Sequence, residues 1–214
     1  MNNRRLGGWR SSRSRRCQRR PLRKRLLIVC EGRETERNYF DQLKREDWPG
    51  QNLAVTVKRG KGGLREQIAQ FAVERKNDSS EGYDEVWCVM DVEDPSHRES
   101  LDRALILLRR NSIKPCLSNP AFEVWLLSHF ERTATAFIEC DAVVTHLNKH
   151  WQKRFGVDYD KADRRIFGRL AELVCVAIEN AKWVRETHHR LELATADCNS
   201  STEVYRLVGK LVGK

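Results

Sequence analysis

The chain has 214 residues, 40% hydrophobic and 33% charged, with a formal net charge of +10, a make-up that suits one α/β domain carrying additional helices. No apolar run approaches the ~20 residues needed to cross a bilayer, and the basic N-terminus lacks the apolar stretch of a secretory signal. A cytoplasmic protein without membrane contact is therefore expected, with an organellar transit peptide as the formal alternative.

The charge is unevenly placed. Residues Met1 to Arg25 hold eleven of the 40 Lys and Arg and no acid, which leaves 29 basic against 30 acidic residues in the remainder. This segment has almost no apolar periodicity and is expected to be a disordered Arg-rich arm. Arg15, Arg16, Arg19 and Arg20 are its candidate contacts to a phosphate backbone, with salt-sensitive and sequence-independent affinity. The competing readings are a solubilising leader or an extension from a misplaced start codon. Trp9 could stack on a base but is weak support by itself.

The folded part is expected from Leu26. Leu26-Leu27-Ile28-Val29-Cys30 is a continuous apolar run of the kind buried on both faces of a parallel sheet. An amphipathic helix follows over Thr35–Lys44, then a strand over Leu53–Val57. Lys61-Gly62-Gly63 reads as a turn, and Leu64–Lys76 as a helix. Val86–Met90 is a third buried strand, followed by an acidic turn that Pro95 closes. Ser100–Arg110 is a helix and Ile113–Leu117 a fourth strand, ended by Asn119-Pro120. The alternation implies right-handed crossovers and a parallel sheet. Helices are expected over Ala121–Phe130, Asp141–Trp151, Phe167–Arg185 and Thr202–Val212, with a polar connection over Arg154–Arg165. The organisation read from this is an arm (1–25), an α/β core (26–130) and a helical part (131–214).

The seven cysteines include no C-x-x-C pair, which gives little support to a zinc site or a disulfide framework. Cys30, Cys88 and Cys116 lie in apolar runs and read as small core residues.

In open parallel sheets, ligands bind beyond the carboxyl ends of the strands. The first strand runs directly into Glu31 and the third into Asp91-Val92-Glu93-Asp94, so two strands deliver acids to one rim. Alternate residues of an extended segment share a face, so Asp91 and Glu93 can address one ion. Clustered carboxylates need a cation, and oxygen ligands favour Mg²⁺ or Mn²⁺. The competing reading of each acid is an ordinary solvated turn. Glu36 and Glu123 are further candidate metal ligands, or else acids placed in the first turns of their helices. Lys58, Arg59 and Lys61 either contact phosphate near the rim or belong to a solvated loop. His129 reads chiefly as a structural residue of an apolar helix, and His188-His189 as surface.

Several of these segments are also familiar. Cys30-Glu31-Gly32 with Thr35-Glu36-Arg37-Asn38-Tyr39-Phe40 resembles the opening motif of the RloB-like family. Asp84-Glu85-Val86-Trp87-Cys88-Val89-Met90-Asp91 resembles its second motif, and the run from Asn119-Pro120-Ala121-Phe122-Glu123 to His129-Phe130-Glu131 its third. Ser201-Thr202-Glu203-Val204-Tyr205-Arg206-Leu207-Val208 resembles its closing motif. The resemblance implies a Toprim-like fold, the metal-binding fold of topoisomerases, primases and related nucleases. It implies that Glu31 matches the Toprim glutamate of proton transfer or metal binding, and that Asp91 and Glu93 match the metal-binding Asp-x-Asp pair, with Asp94 beside them. It further implies anti-phage defence, with abortive infection as an outcome. The chain departs from the pattern in two places, Glu93 for Asp and Ser200 for the Pro that precedes Ser-Thr.

The function expected is hydrolysis of DNA or RNA, tRNA included, by a magnesium- or manganese-dependent nuclease. The catalytic residues expected are Glu31, Asp91 and Glu93. The resemblance also implies an ATPase-type partner subunit, while the chain itself lacks a G-x-x-x-x-G-K-[ST] loop and is not expected to hydrolyse ATP by that route. The alternatives are a non-catalytic nucleic-acid-binding or adaptor subunit, and nucleotidyl transfer.

Overall fold

The computed structural model describes residues 23–48, 52–61, 63–92, 98–137, 139–189 and 194–214. Arg15, Arg16, Arg19, Arg20, Glu93 and Asp94 lie outside the described residues.

Five strands form one sheet in the order β2-β1-β3-β4-β5. β1 (Lys24–Cys30), β2 (Leu53–Arg59), β3 (Glu85–Asp91) and β4 (Lys114–Asn119) run parallel. The crossovers between them are α1 (Thr35–Leu43), α2 (Arg65–Asn77) and α3 (Arg98–Arg110). β1 begins at Lys24, two residues before the apolar run, because the Arg25 N–H reaches Asp84 Oδ2 at 2.7 Å.

The run in β1 is continuous because both faces of the strand are covered. Leu26, Ile28 and Cys30 pack on one side with residues of α1 and the C-terminal helices. Leu27 and Val29 pack on the other, with Ile68, Phe71 and Ala72 of α2 and Leu101, Ala104 and Leu108 of α3. Period-two alternation therefore divides the strand between two apolar layers. Cys30, Cys88 and Cys116 are fully buried, and burial pushes each thiol up, which leaves them protonated and inert.

The C-terminal part departs from the expected helices in three places. The expected helix over Ala121–Phe130 narrows to α4 (Glu123–Leu127), with turns on either side. The long helix over Phe167–Arg185 is broken into α6 (Ile166–Leu170), a 3-10 turn over Ala171–Leu173 and α7 (Val174–His189). Thr202 does not start a helix. Ser201–Thr202 form β5, antiparallel to β4, and α8 (Val204–Val212) follows. A buried bond of 2.8 Å between the Ser118 and Thr202 hydroxyls holds this pairing. The helix expected over Asp141–Trp151 is present as α5 (Cys140–Phe155). His188 is also buried, where a surface position was expected.

Among the described residues, no helix is long and apolar enough to cross a membrane.

Candidate functional site

The strand order puts the topological switch between β1 and β3. The chain leaves β1 for α1 on one face of the sheet and leaves β3 for α3 on the other. The crossover helices therefore lie on opposite faces there, which leaves a crevice at the carboxyl ends of the two strands. Glu31 and Asp91 stand on either side of it. The Glu31 N–H donates to the Val89 carbonyl at 3.0 Å, and the Asp91 N–H donates to Glu31 Oε2 at 3.0 Å. Both residues are half-buried.

Two further acids close on this rim from helix starts. Glu36 lies in the first turn of α1 and is buried, with Oε1 accepting the Gly32 N–H at 3.1 Å. A Cβ at position 32 would overlap the Glu36 carboxylate, so the chain has glycine where this carboxylate is seated. Burial raises the Glu36 carboxyl from its ordinary 4.5 to about 7, and the negative charges of Glu123 and Glu31 add to the rise. Glu123 opens α4 and is also buried. Its Oε1 accepts the Tyr159 hydroxyl at 3.1 Å and lies 3.5 Å from Lys161 Nζ. Burial and the Glu123 charge push the Tyr159 phenol up, so it remains a donor. A cleft of about 220 Å³ runs between these groups, lined by Gly32, Glu36, Asp91, Glu123, Cys140 and Lys161 among others.

Several residues of this site carry no signal in the sequence. Arg65, buried at the start of α2, donates from Nε to the Asp91 carbonyl at 2.7 Å and lies 3.9 Å from Glu31 Oε1. Tyr159 and Lys161 belong to the polar connection after α5. That connection folds over α1, where the Lys161 carbonyl accepts from Thr35 and the Ala162 carbonyl from Asn38, both at 3.3 Å. Cys140 reaches the cleft as the first residue of α5. None of these has a local periodicity or spacing that ties it to the acids.

The basic candidates at the end of β2 are not among the residues lining this cleft, although Arg59 lies opposite Cys30 in the β1–β2 register. Lys58 pairs with Glu81, and Lys61 sits 5.7 Å from the Phe71 ring centre on the α2–α3 side. Arg59 is exposed at the last position of β2. His129 is buried in the core, near the Tyr39 hydroxyl at 3.3 Å and the Trp125 carbonyl at 3.1 Å, and burial lowers its pKa to about 4.

A second group has metal-ligand geometry. Glu131, His146 and His150 present carboxylate and imidazole atoms that all lie within 4.8 Å of one another. No other group of three or more His, Cys, Asp or Glu among the described residues comes that close. A cluster of one carboxylate and two imidazoles can hold a metal ion.

The profile of the RloB-like proteins matches residues 26–211. The chain belongs to the RloB-like family. From its start at Leu26 within β1, the match takes in the carboxyl ends of the strands and both helix-borne acids of the cleft, so the RloB-like region contains the whole site described above. No curated protein and no solved structure matches the chain.

Proposed function

We propose that this RloB-like protein is a metal-dependent nuclease that hydrolyses phosphodiester bonds of DNA or RNA, with the cleft at the β1–β3 switch as its active site. One observation carries the reading: Glu31 and Asp91 meet at the carboxyl ends of adjacent parallel strands, with Glu36 and Glu123 against the same cleft. The Toprim-like resemblance points to the same rim. The donor set of carboxylate oxygens fits Mg²⁺ or Mn²⁺, with Glu31 and Asp91 as the central holders and Glu36, Glu123, Glu93 and Asp94 as further candidates. When bound, such an ion supplies electrophilic activation of a phosphate and neutralises the charge that develops on its oxygens.

The remaining chemistry falls to side chains. Burial that raises the Glu36 carboxyl to about 7 lets it hold a proton near neutral pH while no ion is bound, and give that proton up once a cation binds. Tyr159 and Lys161 hold the Glu123 carboxylate. Arg65 fixes the Asp91 backbone and limits the repulsion around Glu31. The basic arm would add sequence-independent hold on the substrate. A role in anti-phage defence beside an ATPase-type subunit belongs to the same proposal and rests on the family resemblance.

The second reading is a non-catalytic adaptor that binds nucleic acid. It is favoured by the cations already set against the acids, Lys161 at 3.5 Å from Glu123 and Arg65 at 3.9 Å from Glu31. Incubating the purified full chain with Mg²⁺ or Mn²⁺ and plasmid, single-stranded DNA or tRNA separates the two. Cleavage should fall at least about 100-fold in Glu31→Ala and in Asp91→Ala, as expected for loss of a central charge-stabilising group. Cleavage that survives both substitutions sinks the site assignment. Tight binding without turnover favours the adaptor, and incorporation of labelled nucleotide favours transfer.

A further inference from the structure

We propose that Glu131, His146 and His150 form a second metal site, separate from the acidic cleft and selective for a borderline first-row divalent ion such as Zn²⁺. His146 and His150 are four residues apart on α5, so their imidazoles leave the same face of one helix. Glu131 follows α4 and meets them from a different element. His146 Nε2 lies 2.8 Å from Glu131 Oε1, and His150 Nε2 lies 3.1 Å from Oε2.

These separations decide between ion classes. Tetrahedral bonds of about 2.0–2.1 Å to zinc place neighbouring ligand atoms roughly 3.3 Å apart. The observed N–O separations, one to each oxygen of Glu131, fall a few tenths of an ångström short of this, and all the candidate ligand atoms lie within 4.8 Å of one another. Calcium, with bonds of about 2.3–2.6 Å and a preference for six to eight oxygens, fits poorly, and so does Mg²⁺ with its demand for oxygen. Two imidazoles and one carboxylate suit zinc, cobalt or nickel.

The rings are also held in place. Phe130 stacks on His150 at 5.7 Å and 22°, and Phe137 packs on His146 at 5.7 Å. The imidazoles lie 5.3 Å apart, both facing the one carboxylate. Packing of this kind limits the rotamer freedom that a ligand side chain would otherwise lose on binding. The side chains of Glu131, His146 and His150 remain 28%, 37% and 29% exposed, so an ion can enter from solvent and keep a water as its fourth ligand. An ion here would tie the exit of α4 to the middle of α5. His146 is six residues along α5 from Cys140, the cleft residue, which is about 9 Å of helix.

Without metal, the same three side chains form a hydrogen-bonded Glu–His pair of contacts, and the test must distinguish the two. The full chain is stripped with chelator, dialysed and titrated with Zn²⁺, Co²⁺ and Mg²⁺ by calorimetry and absorption. One Zn²⁺ per chain should bind at a site for which saturating Mg²⁺ does not compete, and should raise the melting temperature. The Co²⁺ form should show ligand-field bands without a thiolate charge-transfer band, which excludes the cysteines as ligands. Affinity should drop at least about 100-fold in the His146→Ala/His150→Ala double variant and about tenfold or more in Glu131→Gln. His146→Asn alone, a smaller change on a half-exposed ring, covers the case in which the double variant does not fold. Unchanged Zn²⁺ affinity in the folded variants, or a thiolate band with Co²⁺, overturns the proposal. Both readouts are independent of nuclease activity.

Discussion

Replacing Gly32 by alanine tests the architecture of the cleft without removing any acid. The added methyl would overlap all three carboxylate atoms of Glu36, so that group must leave its seat and give up the 3.1 Å bond from the Gly32 N–H. A hydrogen bond to a charged group contributes about 1.5–3 kcal/mol, and the stiffer alanine backbone offsets about 0.5 kcal/mol through the unfolded chain. Moving the carboxylate to solvent also relieves the burial cost that raises its pKa, about 3 kcal/mol near pH 7, so the two effects nearly cancel there and Tm should change by less than about 4 °C. If Glu36 serves the proposed metal site, its displacement should also weaken Mn²⁺ binding about 10- to 100-fold, which is about 1.4–2.8 kcal/mol. Carboxyl-detected NMR across a pH series supplies the decisive readout. A Glu36 side chain pushed towards solvent should titrate nearer the ordinary 4.5 than the about 7 it has when buried. Gly63→Ala is the control, since a Cβ there meets nothing within 4 Å. Unchanged Mn²⁺ affinity together with an unchanged Glu36 titration in Gly32→Ala would refute the placement of Glu36 at a cation site.

His129 predicts an acid-side loss of stability. Its folded pKa of about 4 lies below the ordinary 6.5, so the native state holds the neutral ring and the unfolded chain takes up the proton first. The contribution is fully present above pH 6.5 and is lost as pH falls towards 4, amounting to about 3 kcal/mol. Chemical denaturation from pH 7 to pH 4 should show a flatter profile for His129→Gln, and identical slopes would rule out the assignment. Arg65→Ala should cost about 2–4 kcal/mol by removing a buried donor from the Asp91 carbonyl and a cation 3.9 Å from Glu31. Differential scanning calorimetry should record a drop of about 5–10 °C. A shift under about 2 °C would mean that this bond is not needed to hold the rim.

Much of the cleft was legible because short-range rules govern it. Continuous apolar runs ending in Glu31 and Asp91 mark two strands buried on both faces, and a parallel sheet then places their ends on one rim. Glu36 and Glu123 were visible as helix-start acids, but their burial against that rim was not. It depends on Gly32 admitting one carboxylate and on Tyr159 and Lys161 covering the other. Those two residues sit in a polar connection with no periodicity, which the sequence leaves as a loop. β5 was missed for a similar reason: a two-residue strand has no measurable alternation, and the Ser118–Thr202 contact that holds it joins positions far apart in the chain.

The histidine pair marks the same boundary. Four-residue spacing within a helix already puts His146 and His150 on one face, since helix geometry is local. Whether a carboxylate meets them depends on how α4 exits and how α5 packs, which brings Glu131 to both rings. Local periodicity therefore determined the strands, the crossovers and the acids at the strand ends. Long-range packing decided which of those acids are buried, which cations face them, and that a separate Glu–His–His group lies beyond the cleft.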